Sequence, residues 1–369
     1  MERRNFIKHL GTAGLGLAAL QVFGFPFGIA SNDNNLKKWV WITPAHDEPA
    51  ENWRPRFEMM KAHGIHGALV QVYSSRQALY PSAHLPYEQD ILSPLIKIGR
   101  ETSIEVHAWM WTMPNNNPYY IENHPDWYVV NRLGQPAHTH PAYVGYYRFM
   151  CPNNPEVQEF LRRNVRELAS FQHLSGVHLD YIRMPDVILA EGLQPKYNIV
   201  QDREYPEYDY CYCETCRRKF KEESGLDPMH EMDEPAENLL WRQFRFDSIT
   251  HVVNDILAPE IKNAGLTASA AVFPNWQSVR QQWSRWNLDA YFPMLYHNFY
   301  NQGPEWIGKQ LQMEIAELKN PTPVYAGLFV PALSPEQLKE AIAIVGQSEA
   351  KGYSLFSFDS ILDEHWEMI

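Results

Sequence analysis

The chain has 369 residues, 45% of them apolar and 21% charged, and a formal net charge of −12. That length and apolar content suffice for one large core or two modest ones, and an acidic chain with no basic stripe repels nucleic acid, which excludes that class of partner. Aromatic residues make up 13%, with 12 Trp and 20 Tyr, more than a core usually needs; sugar-binding clefts use such rings as stacking platforms.

Residues 1–30 read MERRNFIKHLGTAGLGLAALQVFGFPFGIA. Arg3, Arg4 and Lys8 precede an apolar, Gly/Ala-rich run, and Gly28 and Ala30 stand before the polar SNDNN, the layout of a cleaved signal peptide. Pro26 and several glycines interrupt the run, which argues against the alternative, a membrane anchor of about 20 strongly apolar residues. The order Arg3-Arg4-Asn5-Phe6-Ile7-Lys8 resembles the twin-arginine export signal. That resemblance implies a bacterial chain delivered to the periplasm, or otherwise exported, by machinery that carries folded proteins with cofactors already inserted. Removing the leader's net +2 from −12 leaves about −14 for residues 31–369. Residues 31–36 form a short linker, and no second apolar span follows that would hold the processed chain in a membrane.

Beyond the linker, apolar runs of strand length alternate with helical patterns. Strands are predicted at 38–43 (KWVWIT), 67–73 (GALVQVY), 104–112 (IEVHAWMWT), 176–182 (GVHLDYI), 267–273 (TASAAVF), 290–296 (AYFPMLY), 324–330 (VYAGLFV) and 353–358 (YSLFSF). Helices are predicted at 53–63, 91–101, 155–170 and 237–264, with Pro155 fit for a first turn, and another starts at Ser334-Pro335 with Ser334 as cap. Continuous apolar strands separated by helices are the pattern of buried parallel strands. The expectation is one (β/α)8 barrel over 37–369, an α/β fold with an insertion at about 187–235 after strand four. An open doubly wound sheet is the alternative, but no Gly-rich phosphate loop follows any strand.

Residues at or just beyond the C-terminal ends of barrel strands face the active site. By that rule the mouth holds Asp47, Trp109, Trp111, His178, Asp180, Tyr181, Arg183, Trp276, Tyr296, His297 and Asp359, with Ser75 and the amides of 115–117 beside them. These types hydrogen-bond and stack on sugars. No Gly-x-Ser-x-Gly nucleophile elbow is present. In 176-GVHLDYIRMP-185, Asp180 ends an otherwise apolar strand, where an unpaired carboxylate is costly to bury. Arg183 is placed to hold it ionised or to orient it; a structural ion pair tying the loop to the barrel is the plain alternative. Glycoside hydrolysis needs two carboxyl groups a fixed distance apart. Asp180 is the expected catalytic carboxylate and Asp359 its first partner, with Asp47, Glu48, Glu204, Glu207 and Asp209 competing. The remaining mouth residues, Asp47, Trp109, Trp111, His178, Tyr181, Arg183, Trp276, Tyr296 and His297, are expected to bind substrate.

The combination of 176-GVHLDYIRMP-185, 151-CPNNPEVQEFLRRNVREL-168, 208-YDYCYCETCRRKF-220 and 241-WRQFR-245 resembles the bacterial glycosyl-hydrolase-like family 10, over most of the chain beyond the leader. Its most specific part is the Gly-x-His-Leu-Asp-Tyr-x-Arg segment. The resemblance implies a barrel glycoside hydrolase with a carbohydrate substrate and Asp180 as the motif carboxylate. Retaining barrel hydrolases often carry Glu at the ends of strands four and seven; here strand four ends in Asp180 and strand seven has no acid, which leaves retention and inversion both open. Two other readings stand. A metal-dependent hydrolase usually needs a His-x-His on strand one, which is absent. A non-catalytic glycan-binding barrel would keep the aromatic cleft without a working carboxylate pair.

Cys151, Cys211, Cys213 and Cys216 are the chain's four cysteines. A Cys-x-Cys-x2-Cys run plus one distant Cys offers the four thiolates of a tetrahedral structural Zn²⁺. Cys151, on the loop after strand three, lies beside the strand-four loop in a barrel. The arrangement resembles the zinc cluster of family 42 β-galactosidases. Disulfides, which export would ordinarily favour, and free thiols remain the alternatives.

Overall fold

The computed structural model describes residues 36–45 and 47–369; the leader, the linker up to residue 35 and His46 lie outside the described residues. Eight strands run parallel: β1 (Lys37–Ile42), β2 (Gly67–Tyr73), β3 (Glu105–Trp111), β4 (Gly176–Asp180), β5 (Thr267–Val272), β6 (Ala290–Pro293), β7 (Tyr325–Phe329) and β8 (Gly352–Phe356). Their order is β6-β5-β4-β3-β2-β1-β8-β7. The parallel bridges Tyr291–Val324 and Met294–Gly327 join the two end strands and close the ring. The fold is therefore the (β/α)8 barrel, and the open sheet is ruled out by that closure.

Ten helices accompany the strands among the described residues: α1 (Trp53–Ala62), α2 (Leu92–Thr102), α3 (Pro118–Asn123), α4 (Pro155–Ala169), α5 (Glu214–Ser224), α6 (Leu239–His251), α7 (Ala258–Asn263), α8 (Trp306–Glu317), α9 (Pro335–Gly346) and α10 (Asp363–Trp366). Local chemistry sets their ends. Asn154 accepts from the backbone N–H groups of Glu156 and Val157 ahead of Pro155, and Ser334 with Gln337 forms a capping box on α9. The helix predicted over 237–264 is instead α6 and α7 joined by a π-turn, Val252–Leu257. Pro259 lacks an N–H and its ring would strike the carbonyl one turn back, so the wider turn lets the chain pass it. The sequence reading assigns no element to α8, which supplies the crossover from β6 to β7.

Strand alternation sorts the barrel into two cores. Val177 and Leu179 face the helix layer, whereas Trp39, Trp41, Leu69, Trp109, Ala271, Phe292 and Tyr325 pack together inside the ring. Large and small residues interlock across neighbouring strands. A Cβ at Gly176 would stand 2.4 Å from His107 Nδ1, so only glycine leaves the imidazole its place. On β4 the inward set is Gly176, His178 and Asp180, and the last of these reaches the open end.

The long segment between β4 and α6 is anchored by buried charge. Asp209 accepts from Arg245 and from the Tyr212 hydroxyl, and Glu204 accepts from Arg280 (2.5 Å) and Arg242 (3.5 Å). Breaking such a buried pair strands a charge away from water, so these contacts fix the segment over the barrel mouth.

Candidate active site

The C-terminal end of the barrel opens into a cavity of about 480 Å³ lined from every strand. Its rings include Trp109 and Trp111 from β3, Tyr143, Tyr146 and Tyr147 from the following loop, and Tyr296, Phe299, Tyr300, Phe329 and Phe356 from β6 to β8. Apolar walls with a few convergent polar groups are the usual make-up of a small-molecule site.

Asp180 sits on the floor, 7% exposed. Its Oδ2 accepts from the Trp109 indole Nε1 at 2.9 Å, and its Oδ1 from the Tyr181 backbone N–H at 2.7 Å. Tyr181 adopts φ 50°, a left-handed conformation costly for an aromatic residue, and in it the residue's own N–H meets the carboxylate. Burial raises the Asp180 pKa to about 6, while the Tyr181 and Trp109 donors and the Arg183 charge pull it down. The carboxyl is thus poised to keep or release a proton under mildly acidic conditions.

Arg183 does not bond to Asp180. Its Nη1 donates to Asp186 Oδ2 at 2.9 Å and to the Met184 carbonyl. The guanidinium lies 4.6 Å from the Phe273 ring centroid and 5.0 Å from that of Tyr181, held by cation–π contacts. Of the two roles expected for Arg183, holding Asp180 ionised or orienting it, neither rests on a direct bond: the Arg183 charge lowers the Asp180 pKa through space, and burial outweighs it. Asp186 is itself buried, lines the same cavity, and with Asp180 makes up the carboxylates among its described lining residues. Two further contacts brace this wall. The Tyr143 hydroxyl donates to the Asp186 carbonyl at 2.9 Å, and Tyr143 stacks on Tyr208 with centroids 4.4 Å apart. Gly192 N donates to the Phe299 carbonyl at 2.8 Å, joining the β4 segment to the β6 loop. A Cβ there would stand 2.5 Å from the Asn298 carbonyl oxygen.

The model of the glycosyl hydrolase-like 10 family matches residues 40–319, most of the barrel. The chain belongs to this family. Glycosyl hydrolase YngK of Bacillus subtilis (strain 168) is 29% identical over 208 residues, covering 48% of this chain and 38% of that protein, so the match takes in well under half of the relative's length. Among solved structures, the glycoside hydrolase domain of PgaB (BpsB) from Bordetella bronchiseptica superposes with a TM-score of 0.70 at 13% identity, covering 90% of this chain and 98% of that one. The catalytic domain of β-amylase from Paenibacillus polymyxa gives 0.62 at 8% identity, covering 90% and 94%. A β-galactosidase from the haloarchaeon Halorubrum lacusprofundi gives 0.63 at 13%, covering 90% and 57%. These likenesses establish the fold.

Within this glycosyl hydrolase-like 10 barrel, the cavity brings together Trp109, Trp111, Asp180, Tyr181, Arg183 and Tyr296 of the predicted site residues. Others lie apart. Asp359 is exposed, because after Phe356 the chain turns through Phe358–Ser360 and Phe358 packs between Trp53 and Trp366, leaving the next side chain in solvent. Asp47 is also exposed outside the cavity. Trp276 packs edge-on against Phe246, 5.2 Å away. His297 is buried behind the lining, and burial lowers its pKa. His178 lies one layer below Asp180, its ring 4.6 Å from Trp41 and its Nδ1 2.9 Å from Ser269 Oγ; burial holds it neutral. The amides placed at the mouth hold loops instead: Asn117 caps α3, and Asn116 Nδ2 donates to the Tyr146 carbonyl and to Ser75 Oγ. Sequence reasoning missed Asp186, Tyr143, Tyr146, Tyr147, Tyr197 and Tyr300; the one signal was the aromatic density of 143-YVGYYRF-149.

The four cysteine sulfurs lie within 4.8 Å of one another, and none is in a disulfide. Cys151 Sγ stands 3.5 Å from the Sγ atoms of Cys213 and Cys216. A tetrahedron of Zn–S bonds of about 2.3 Å has edges of about 3.8 Å, so four thiolates in this cluster can bind a metal such as zinc. Asn153 Nδ2 reaches Cys216 Sγ at 3.3 Å and Ser248 Oγ at 2.8 Å, a bracing contact from outside the cluster. The cluster joins the β3 loop to the β4 segment, the two stretches that form the tyrosine wall.

Proposed function

We propose that this chain is a glycoside hydrolase that cleaves O-glycosidic bonds in a polysaccharide or oligosaccharide, with Asp180 as the proton donor. The observation that carries this reading is a carboxyl buried at the end of β4, poised near pH 6 on the floor of a ring-lined cavity. Raised acidity constants of this kind are how carboxyl groups serve as general acids. The neighbouring rings supply apolar faces for sugar rings, and the exclusion of water strengthens every polar contact at the bond being broken.

The four cysteines, in the same reading, hold one Zn²⁺ that locks the tyrosine wall in place and takes no part in the reaction. The twin-arginine-like leader would export the folded, metal-loaded chain to the periplasm. Among the described residues no helix is long and apolar enough to cross a membrane. Replacing Arg3 and Arg4 by lysine and following the protein by fractionation tests the export route.

Reducing-end release from a panel of polysaccharides and 4-nitrophenyl glycosides, compared between wild type and Asp180→Asn, tests the activity. Loss of turnover in the variant with glycan binding retained supports the hydrolase. Equal binding with no turnover by either protein leaves a glycan-binding barrel in its place.

A further inference from the structure

Asp180 needs a second group to complete hydrolysis, and Asp359 faces solvent away from the cavity. Asp186 does not. It follows Asp180 by six positions, is 4% exposed, and lines the same cavity. One of its oxygens is fixed by Arg183. Arg183 is in turn fixed by the Met184 carbonyl, the Tyr147 hydroxyl and the Phe273 and Tyr181 rings. A carboxylate held so firmly, at the edge of a site of this chemistry, has the build of a reacting group rather than of a surface ion pair.

We propose that Asp186 is the general base of an inverting hydrolysis, an assignment that rests on the hydrolase reading above. In the step, the Asp186 carboxylate takes a proton from a water molecule, whose oxygen bonds to the anomeric carbon from the face opposite the leaving group. The glycosidic C–O bond breaks with its electron pair going to the leaving oxygen, and Asp180 gives that oxygen its proton. Asp180 ends deprotonated and Asp186 protonated, and proton exchange with solvent restores both. Inversion needs carboxyl groups about 6.5–9.5 Å apart to leave room for the water, against about 5–5.5 Å for retention. The two carboxyl groups have separate partners, Trp109 and the Tyr181 N–H for Asp180 and Arg183 for Asp186, and the wider separation is the one this proposal requires.

The test uses the full chain and whichever 4-nitrophenyl glycoside the wild type hydrolyses, followed by proton NMR from the first turnover to read the anomer released. The proposal expects the inverted anomer. It also expects Asp186→Asn and Asp186→Ala to lower kcat at least about 100-fold with KM within a few-fold, and sodium azide to restore turnover of the 2,4-dinitrophenyl glycoside by Asp186→Ala, giving a glycosyl azide. A purely structural ion pair would show no azide rescue. A retained anomer, or Asp186→Asn turning over like wild type, overturns the assignment while leaving Asp180 in place. If Asp180→Asn turns over like wild type, the hydrolase reading itself fails.

Discussion

Replacing Trp109 by Phe removes one hydrogen bond from Asp180 while keeping a ring against Trp41, whose centroid lies 4.8 Å away. The indole N–H donates to Asp180 Oδ2 at 2.9 Å, and this bond favours the ionised form. A hydrogen bond to a charged group is worth about 1.5–3 kcal/mol, and one pKa unit corresponds to about 1.4 kcal/mol. Losing it should therefore raise the Asp180 pKa by about one to two units, from about 6 in the wild type. If Asp180 donates the proton, kcat/KM falls as it ionises, and that alkaline limb reports the free enzyme. The assay is kcat/KM for the accepted 4-nitrophenyl glycoside across pH about 4 to 9. The wild-type limb should lie near 6 and that of Trp109→Phe above it. An alkaline limb that stays in place, or moves to lower pH, would refute the assignment of Asp180 as the acid.

Other consequences concern stability and metal. Burial raises Asp180 from 3.8 to about 6, so the fold binds this proton more tightly than the unfolded chain. The resulting stability is full below the unfolded pKa and is lost as pH rises through the folded one; against Asp180→Asn, the wild type should lose about 2 kcal/mol between pH 4 and pH 7 in urea titrations. Glu314, buried on α8, is raised from 4.5 to about 8, chiefly by burial. By the same sign, Glu314→Gln should gain on the wild type as pH rises from about 4 to 9, by at most on the order of 5 kcal/mol; a gap that does not change with pH contradicts this. Cys216→Ser should leave the purified protein without the single equivalent of zinc expected by mass spectrometry of the wild type, and should lower its melting temperature. In the wild type, four thiols should titrate after denaturation with a chelator; two thiols and no zinc would indicate a disulfide instead.

The barrel was legible because its code is local. Runs such as GALVQVY and VYAGLFV carry apolar residues on both faces, which strands covered on both sides tolerate. Asp180 stood out for the same reason, as a carboxylate ending an apolar strand, and the cysteine spacing announced a cluster before the sulfurs were seen to meet. The rest of the site depended on which distant segments converge. Strand periodicity stops where a strand stops, so it cannot say that the chain turns at Phe358 and carries Asp359 into solvent. Nor can it say that Arg183 turns to Asp186, or that the β3 loop lays Tyr143 against that residue's carbonyl. Burial decided the acidity of Asp180: a neighbouring arginine suggested an ionised carboxylate, but the cavity built by eight strands withdraws water from it, and desolvation outweighs a guanidinium bonded elsewhere.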